Sequence, residues 1–281
     1  MPIKPKYSKQ LAGLIVLASL LGTGAACADD QNLFQIVQKS KSTLDVVANN
    51  VNPFPVTAIV TVAGEGMDKR GWPKMFVVQP NQTGTIATIA KEDGMQFGSN
   101  AVSTEYRYGS ILNQPMGAVT YLPWRFGEAH KITQSDNGPL STHNDGFSEH
   151  AIDIAMDEGT PVTAAKEGIV AFAFSGRVHG QVEGGDPGGN LVGIYHKDGT
   201  ISQYGHLSEI DVQPGQRVAG GQIIGLSGNT GLTTGPHLHF AMSVPDMVAG
   251  QLRYRTIPVN FITPNNPNPF MVKTGEWYAN N

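Results

Sequence analysis

The clearest pattern in the chain is HLHFAMSV, residues 237–244, where apolar positions alternate with the rest. Leu238, Phe240, Met242 and Val244 fall on one side, and His237, His239, Ala241 and Ser243 on the other. A period of two predicts a half-buried strand, and Gly235-Pro236 punctuates its start. Residues i and i+2 of a strand share a face, so both imidazoles project together, away from the apolar row.

Shorter patterns of the same kind fill the rest. Pro53 and Pro55 lead into the β-branched run VTAIVTV, and further runs follow at Met75–Val78, Thr85–Ile89 and Glu105–Tyr108. Pro80-Asn81 and Asp93-Gly94 separate them, and 31–50 reads as a polar lead-in. Several short strands in so little chain predict a small β-sandwich over 29–118, with Phe54, Trp72, Phe76, Tyr106 and Tyr108 as core.

From Tyr121 the texture changes. Strands are predicted at His150–Ala155, Gly168–Phe174, Asn190–His196, Ile201–Leu207 and Gln222–Leu226, before the His237 strand. Lys197-Asp198-Gly199, Pro214-Gly215 and Gly220-Gly221 supply turns, and the glycine-dense 181–190 reads as a mobile loop. No helix-length amphipathic period interrupts them, so the second domain is predicted to be all-β. In the tail after 245, RYRTIPVNF predicts one more strand and NNPNPF irregular chain.

Composition sharpens this picture. Thirty-four glycines among 281 residues exceed the average share of roughly 7%, as many tight turns between short strands require. A net charge of −4 gives no electrostatic footprint for nucleic acid. Lys4, Lys6 and Lys9 precede an apolar run from Leu11 to about Ala26, and Ala26-Cys27-Ala28 has the small-x-small form of a cleavage site. Residues 1–28 therefore read as a secretory signal, and no lasting membrane span is expected after its removal. A lipid anchor on Cys27 is the second reading, disfavoured by Gly24 where such sites usually carry Leu. Cleavage after Ala28 would remove the single cysteine, leaving His and carboxylates as metal ligands.

Eight histidines are present. Asp153 lies in HAIDIAM, where Ala151, Asp153 and Ala155 share one face and Ile152, Ile154 and Met156 the other. A carboxylate in so apolar a strand needs a partner if buried, and a metal would supply one. An exposed surface Asp is the plainer reading of that strand alone, as two surface histidines are of an isolated HxH. Asn190, Asn229 and Thr230 read as turn formers, His196 as a packing or hydrogen-bonding residue, and His130 and His179 carry no spacing argument.

Three blocks together are more specific. SEHAIDIAMDEGTPVTAAKEGIV, NLVGIYHKDGTISQYGHL and VAGGQIIGLSGNTGLTTGPHLHF resemble the successive motifs of the lysostaphin-type, LytM-like zinc endopeptidases, over about 119–245. The resemblance implies an antiparallel β-sheet peptidase domain with a groove over 119–245, which with the sandwich over 29–118 and a strand and tail over 246–281, both read from the residue pattern, makes an all-β chain. It also implies one zinc per chain and hydrolysis of the peptide stems or cross-bridges of bacterial peptidoglycan, in the periplasm or cell envelope. Carried over by motif, Asp153 and His239 become zinc ligands, and His206 and His237 the catalytic pair. The upstream ligand departs from the common HxxxD pattern, since Glu149 stands four residues before Asp153. Relatives with the histidine further upstream make His143 the expected ligand. A bulge turning His150 inward, or ligation by Glu149, stays open, as do a non-catalytic regulator of a cell-wall hydrolase and an exported peptidase acting on glycine-rich proteins.

Overall fold

The computed structural model describes residues 33–63, 66–92, 102–136, 138, 142–143, 148–180 and 189–281. The signal segment 1–28, and 181–188 of the glycine-rich segment, lie outside the described residues. The described residues contain no helix, and their strands are almost entirely antiparallel.

Two three-stranded sheets form the N-terminal unit. One orders Phe34–Gln38, Thr43–Asn49 and Thr83–Ala90; the other places Val56–Val62 between Lys74–Val78 and Val102–Tyr108. Leu44, Val46 and Ile89 of the first sheet meet Val60, Val62 and Val102 of the second in one buried cluster, which makes a sandwich. The reading of 31–50 as a polar lead-in is corrected here, because it supplies two paired strands. Asp45 had masked the pattern. Its buried carboxylate accepts from the Thr88 hydroxyl at 2.6 Å and pairs with Lys39 at 3.4 Å, so the sheet tolerates it.

A nine-stranded sheet carries most of the rest, beside a three-stranded sheet in which Ile223–Leu226 lies between Pro161–Thr163 and Glu209–Ile210. The order of the nine-stranded sheet is Arg217–Val218, Gly168–Phe174, Leu191–Tyr195, Ile201–Gly205, His237–Val248, Ile152–Ala155, Ala129–Gln134 and Trp277–Ala279, with Gln251–Ile257 also paired to His237–Val248. Leu238, Phe240, Met242 and Val244 are fully buried, against Ile152, Ile154, Ile194 and Tyr204 among others. Each such side chain contributes about 1.5–3 kcal/mol of burial free energy. The apolar stripe read from the sequence is thus what fixes the histidine face.

The tail after 245 contains more structure than expected. Val259–Thr263 pairs in parallel with Ala118–Tyr121, and Asn266–Phe270, expected to be irregular, is a strand on its other side. Pro267 and Pro269 are tolerated because that strand lies at a sheet edge.

The sandwich sits on the histidine face of the large sheet. Ile201 pairs with Ser243, and Ser243 shares a face with His239. Ile201 is buried with Phe54, Val56 and Tyr108 of the sandwich and with Phe172 of the large sheet. Tyr108 stacks on Phe172 at 6.2 Å, and its backbone N–H donates to the Tyr254 hydroxyl at 3.0 Å.

Candidate metal centre

The register of three strands assembles the site. His239 lies opposite Asp153 on one side and opposite Gly205 on the other. Opposed residues of antiparallel strands project to the same face, so Asp153 and His239 meet with no loop needed to bring them together. Asp153 is 4% exposed, and its Oδ1 faces His239 Nδ1 at 2.9 Å. Its Oδ2 faces His143 Nε2 at 3.3 Å, and His237 Nε2 stands 3.7 Å from Oδ1.

His206 arrives by a different route. Gly205 shares the face of His239, so an unbroken strand would send His206 to the opposite side. The strand ends at Gly205, and His206 adopts a φ of 64°. That left-handed backbone turns its ring back to 4.6 Å from the His237 ring and 5.9 Å from the His239 ring. For a non-glycine residue this conformation costs on the order of 1 kcal/mol, offset by the bonds His206 makes.

The hydrogen bonds fix which nitrogen faces the site, because a carbonyl can only accept. His143 Nδ1 donates to Ala151 O at 3.1 Å, His206 Nδ1 to Thr230 O at 2.7 Å, and His237 Nδ1 to Gly235 O at 2.8 Å. All three imidazoles therefore turn Nε2 toward the site. Burial, aided by the neighbouring His239 and His237, pushes His206 down to about 4, so it is neutral at pH 7. Burial would raise Asp153, yet the hydrogen bonds with His143 and His239 outweigh it and hold its carboxyl well below the usual carboxylate range.

The structure thus brings His143, Asp153, His206, His237 and His239 together. His150 is elsewhere: its Nδ1 pairs with Asp136 at 2.9 Å. Glu149 is exposed and falls outside the cluster.

Two groups escaped the sequence reading. Gln134 donates to Asp153 Oδ2 at 2.7 Å, while its Oε1 accepts from Thr142 N at 2.7 Å and from the Thr142 hydroxyl at 3.1 Å. One amide therefore braces both the carboxylate and the segment that carries His143. Thr230 and Asn190, read as turn formers, buttress His206. The Thr230 hydroxyl donates to Leu207 O at 2.9 Å and accepts from Asn190 N at 3.0 Å, and the Asn190 amide donates to Leu207 O at 2.8 Å. Nothing in KITQSD or SGNTG marks these roles, since each depends on pairing between distant segments.

Donor atoms of His143, Asp153 and His239 all lie within 4.8 Å of one another. Ligand atoms about 2.0–2.2 Å from a tetrahedral zinc stand about 3.3–3.6 Å apart, close to the 2.9 and 3.3 Å separations here. Two imidazoles and a carboxylate suit zinc and leave a fourth position open. Residues 148–250 match Peptidase family M23. Over that stretch the chain is similar to the M23 peptidases.

Members of that family are zinc metallopeptidases, and the His-Asp-His cluster of this chain could bind a metal. Named relatives include the glycyl-glycine endopeptidase ALE-1 of Staphylococcus capitis, 42% identical over 37% of this chain and 26% of that protein. The peptidoglycan DD-endopeptidase ShyA of Vibrio cholerae is 42% identical over 66% of this chain and 36% of its own length. Lysostaphin of Staphylococcus simulans is 41% identical over 38% of this chain and 20% of its own. The chain thus spans about a third or less of these relatives. The lysostaphin catalytic domain superposes with a TM-score of 0.35 at 32% identity, covering 44% of this chain and 88% of that one.

Proposed function

We propose that the chain is a zinc-dependent endopeptidase of the cell envelope that hydrolyses peptide cross-links in bacterial peptidoglycan. The observation that carries this reading is the convergence of five side chains with the atoms that face the site already oriented. His143 through Nε2, Asp153 through its carboxylate and His239 through Nδ1 would hold the ion. Zinc supplies Lewis acidity toward water and toward the scissile carbonyl. The names of the relatives motivate the choice of substrate.

His206 and His237 complete the chemistry. Each donates through Nδ1 to a backbone carbonyl and turns Nε2 toward the site, where that atom can take or give a proton. Amide hydrolysis adds hydroxide to the carbonyl carbon, breaks the C–N bond and delivers a proton to the leaving amine. The imidazole that takes the water's proton at Nε2 becomes the acid that later protonates the amine. Its neighbour, one ring away, would steady the charge that develops on the carbonyl oxygen when it carries a proton at Nε2, since only an N–H can donate there. The Thr230 and Gly235 carbonyls keep both rings in register, so little reorganisation accompanies proton transfer.

The test uses sacculi incubated with the zinc-loaded chain and analysed by mass spectrometry of the muropeptides. Cross-linked dimers should fall and monomers rise, while His237→Ala should keep its zinc and leave dimers intact. Dimers untouched by a wild-type chain that demonstrably holds zinc would overturn the reading.

A further inference from the structure

Between the histidine cluster and the sandwich, the floor of the large sheet is one register row wide. Gly205 pairs with His239, Gln203 with Ala241 and Ile201 with Ser243. At about 3.3 Å per residue, Gln203 therefore stands two residues, about 7 Å, from the metal row, and as far again from the sandwich. Its other neighbour is Gly193, over which the Phe172 ring lies so closely that a Cβ would meet it at 2.1 Å. Gln203 is a half-buried polar side chain between Ala241 and that ring, on the face that carries the histidines.

Its amide is fixed. The Ser243 hydroxyl lies 3.2 Å from Ile201 O, which can only accept, so Ser243 donates there. Ser243 Oγ must then accept from Gln203, which approaches at 2.7 Å through its NH2. The carbonyl oxygen of the side chain is left as an acceptor, and among the described residues no donor is recorded on it.

We propose that Gln203 is a substrate-positioning residue, whose side-chain oxygen accepts an N–H from the peptide lying across this strip. The inference rests on the peptidase reading above. An extended peptide offers backbone N–H groups at this spacing from the bond being cut. An acceptor locked in orientation by Ser243 forms that bond with little ordering cost. Because Gln203 is about 7 Å from the metal row, it acts on binding and leaves the bond-breaking step alone.

The experiment compares zinc-loaded wild type, Gln203→Leu and Gln203→Glu on soluble cross-linked muropeptide dimers at high salt, where charge repulsion is screened. Gln203→Leu should raise KM about five- to tenfold, the scale of one neutral hydrogen bond, with kcat within about twofold and zinc content unchanged. Gln203→Glu cannot donate to Ser243 but keeps an oxygen acceptor, which its charge strengthens, and its KM should rise clearly less than that of Gln203→Leu. A purely structural role, bracing Ser243, would weaken both variants alike, and that outcome would overturn the proposal. An unchanged KM in Gln203→Leu would overturn it too. No turnover by the wild type would remove the peptidase reading and this inference together, whereas normal wild-type turnover with either contrary variant result removes this inference alone.

Discussion

Single residues decide how the centre holds its shape. Gln134 bonds Asp153 on one side and Thr142 on the other, so Gln134→Leu unties the carboxylate from the segment of His143. Supporting bonds of this kind typically carry 10–100-fold in metal affinity. Titration with a competing chelator should show zinc affinity falling by that order while the fold survives. An unchanged affinity would mean that Gln134 only packs. His196 tests burial instead. It is fully buried between Glu167 O and the Ser202 hydroxyl, and burial pushes it down to about 4. An unfolded histidine titrates near 6.5, so between about 6.5 and 4 the unfolded chain takes up a proton that the folded chain refuses. The stability from His196 is complete above about 6.5 and is lost as pH falls toward 4. Urea midpoints followed across that window should drop less steeply in His196→Gln than in wild type.

At the scale of elements, tight strand pairing leaves no room for added atoms at certain glycines. A Cβ on Gly225 would meet Glu209 O at 2.3 Å and Ile210 Cα at 3.3 Å, both backbone, in a strand paired on each side. Gly225→Ala should cost about 1–3 kcal/mol, read from chemical denaturation. The strands themselves were legible wherever one face is apolar: His237–Val248 and Ile152–Ala155 follow from alternation alone. Thr43–Asn49 was hidden by a buried Asp45, and Asn266–Phe270 by its prolines. The position of His206 could not have come from periodicity, because it depends on a single left-handed φ that breaks strand parity. Family resemblance supplied what the pattern could not. Likewise His143, eight residues before Ala151, has no register to announce it; only its bond to that carbonyl and its approach to Asp153 do.

At the scale of the whole molecule, the described residues form two β units joined through aromatic contacts on the histidine face. Phe54 and Tyr108 from the sandwich pack with Phe172, Tyr195 and Tyr254 of the large sheet. Tyr254→Phe keeps the ring and removes the acceptor of the Tyr108 N–H. It should lower stability by about 1–2 kcal/mol, and calorimetry should show the sandwich and the large-sheet unit melting together in wild type. A variant in which the sandwich melts first would locate the loss at this seam. The same placement makes the sandwich the end wall of the strip that holds Gln203, so changes at the seam reach the substrate face directly.

The most direct measurement is anomalous diffraction at the zinc edge on crystals of the zinc-loaded protein. A single strong peak should appear within about 2.0–2.2 Å of His143 Nε2, an Asp153 carboxylate oxygen and His239 Nδ1, with His206 and His237 near it but not bound. A peak at His150 and Asp136, or no peak among the three named ligands, would contradict the account.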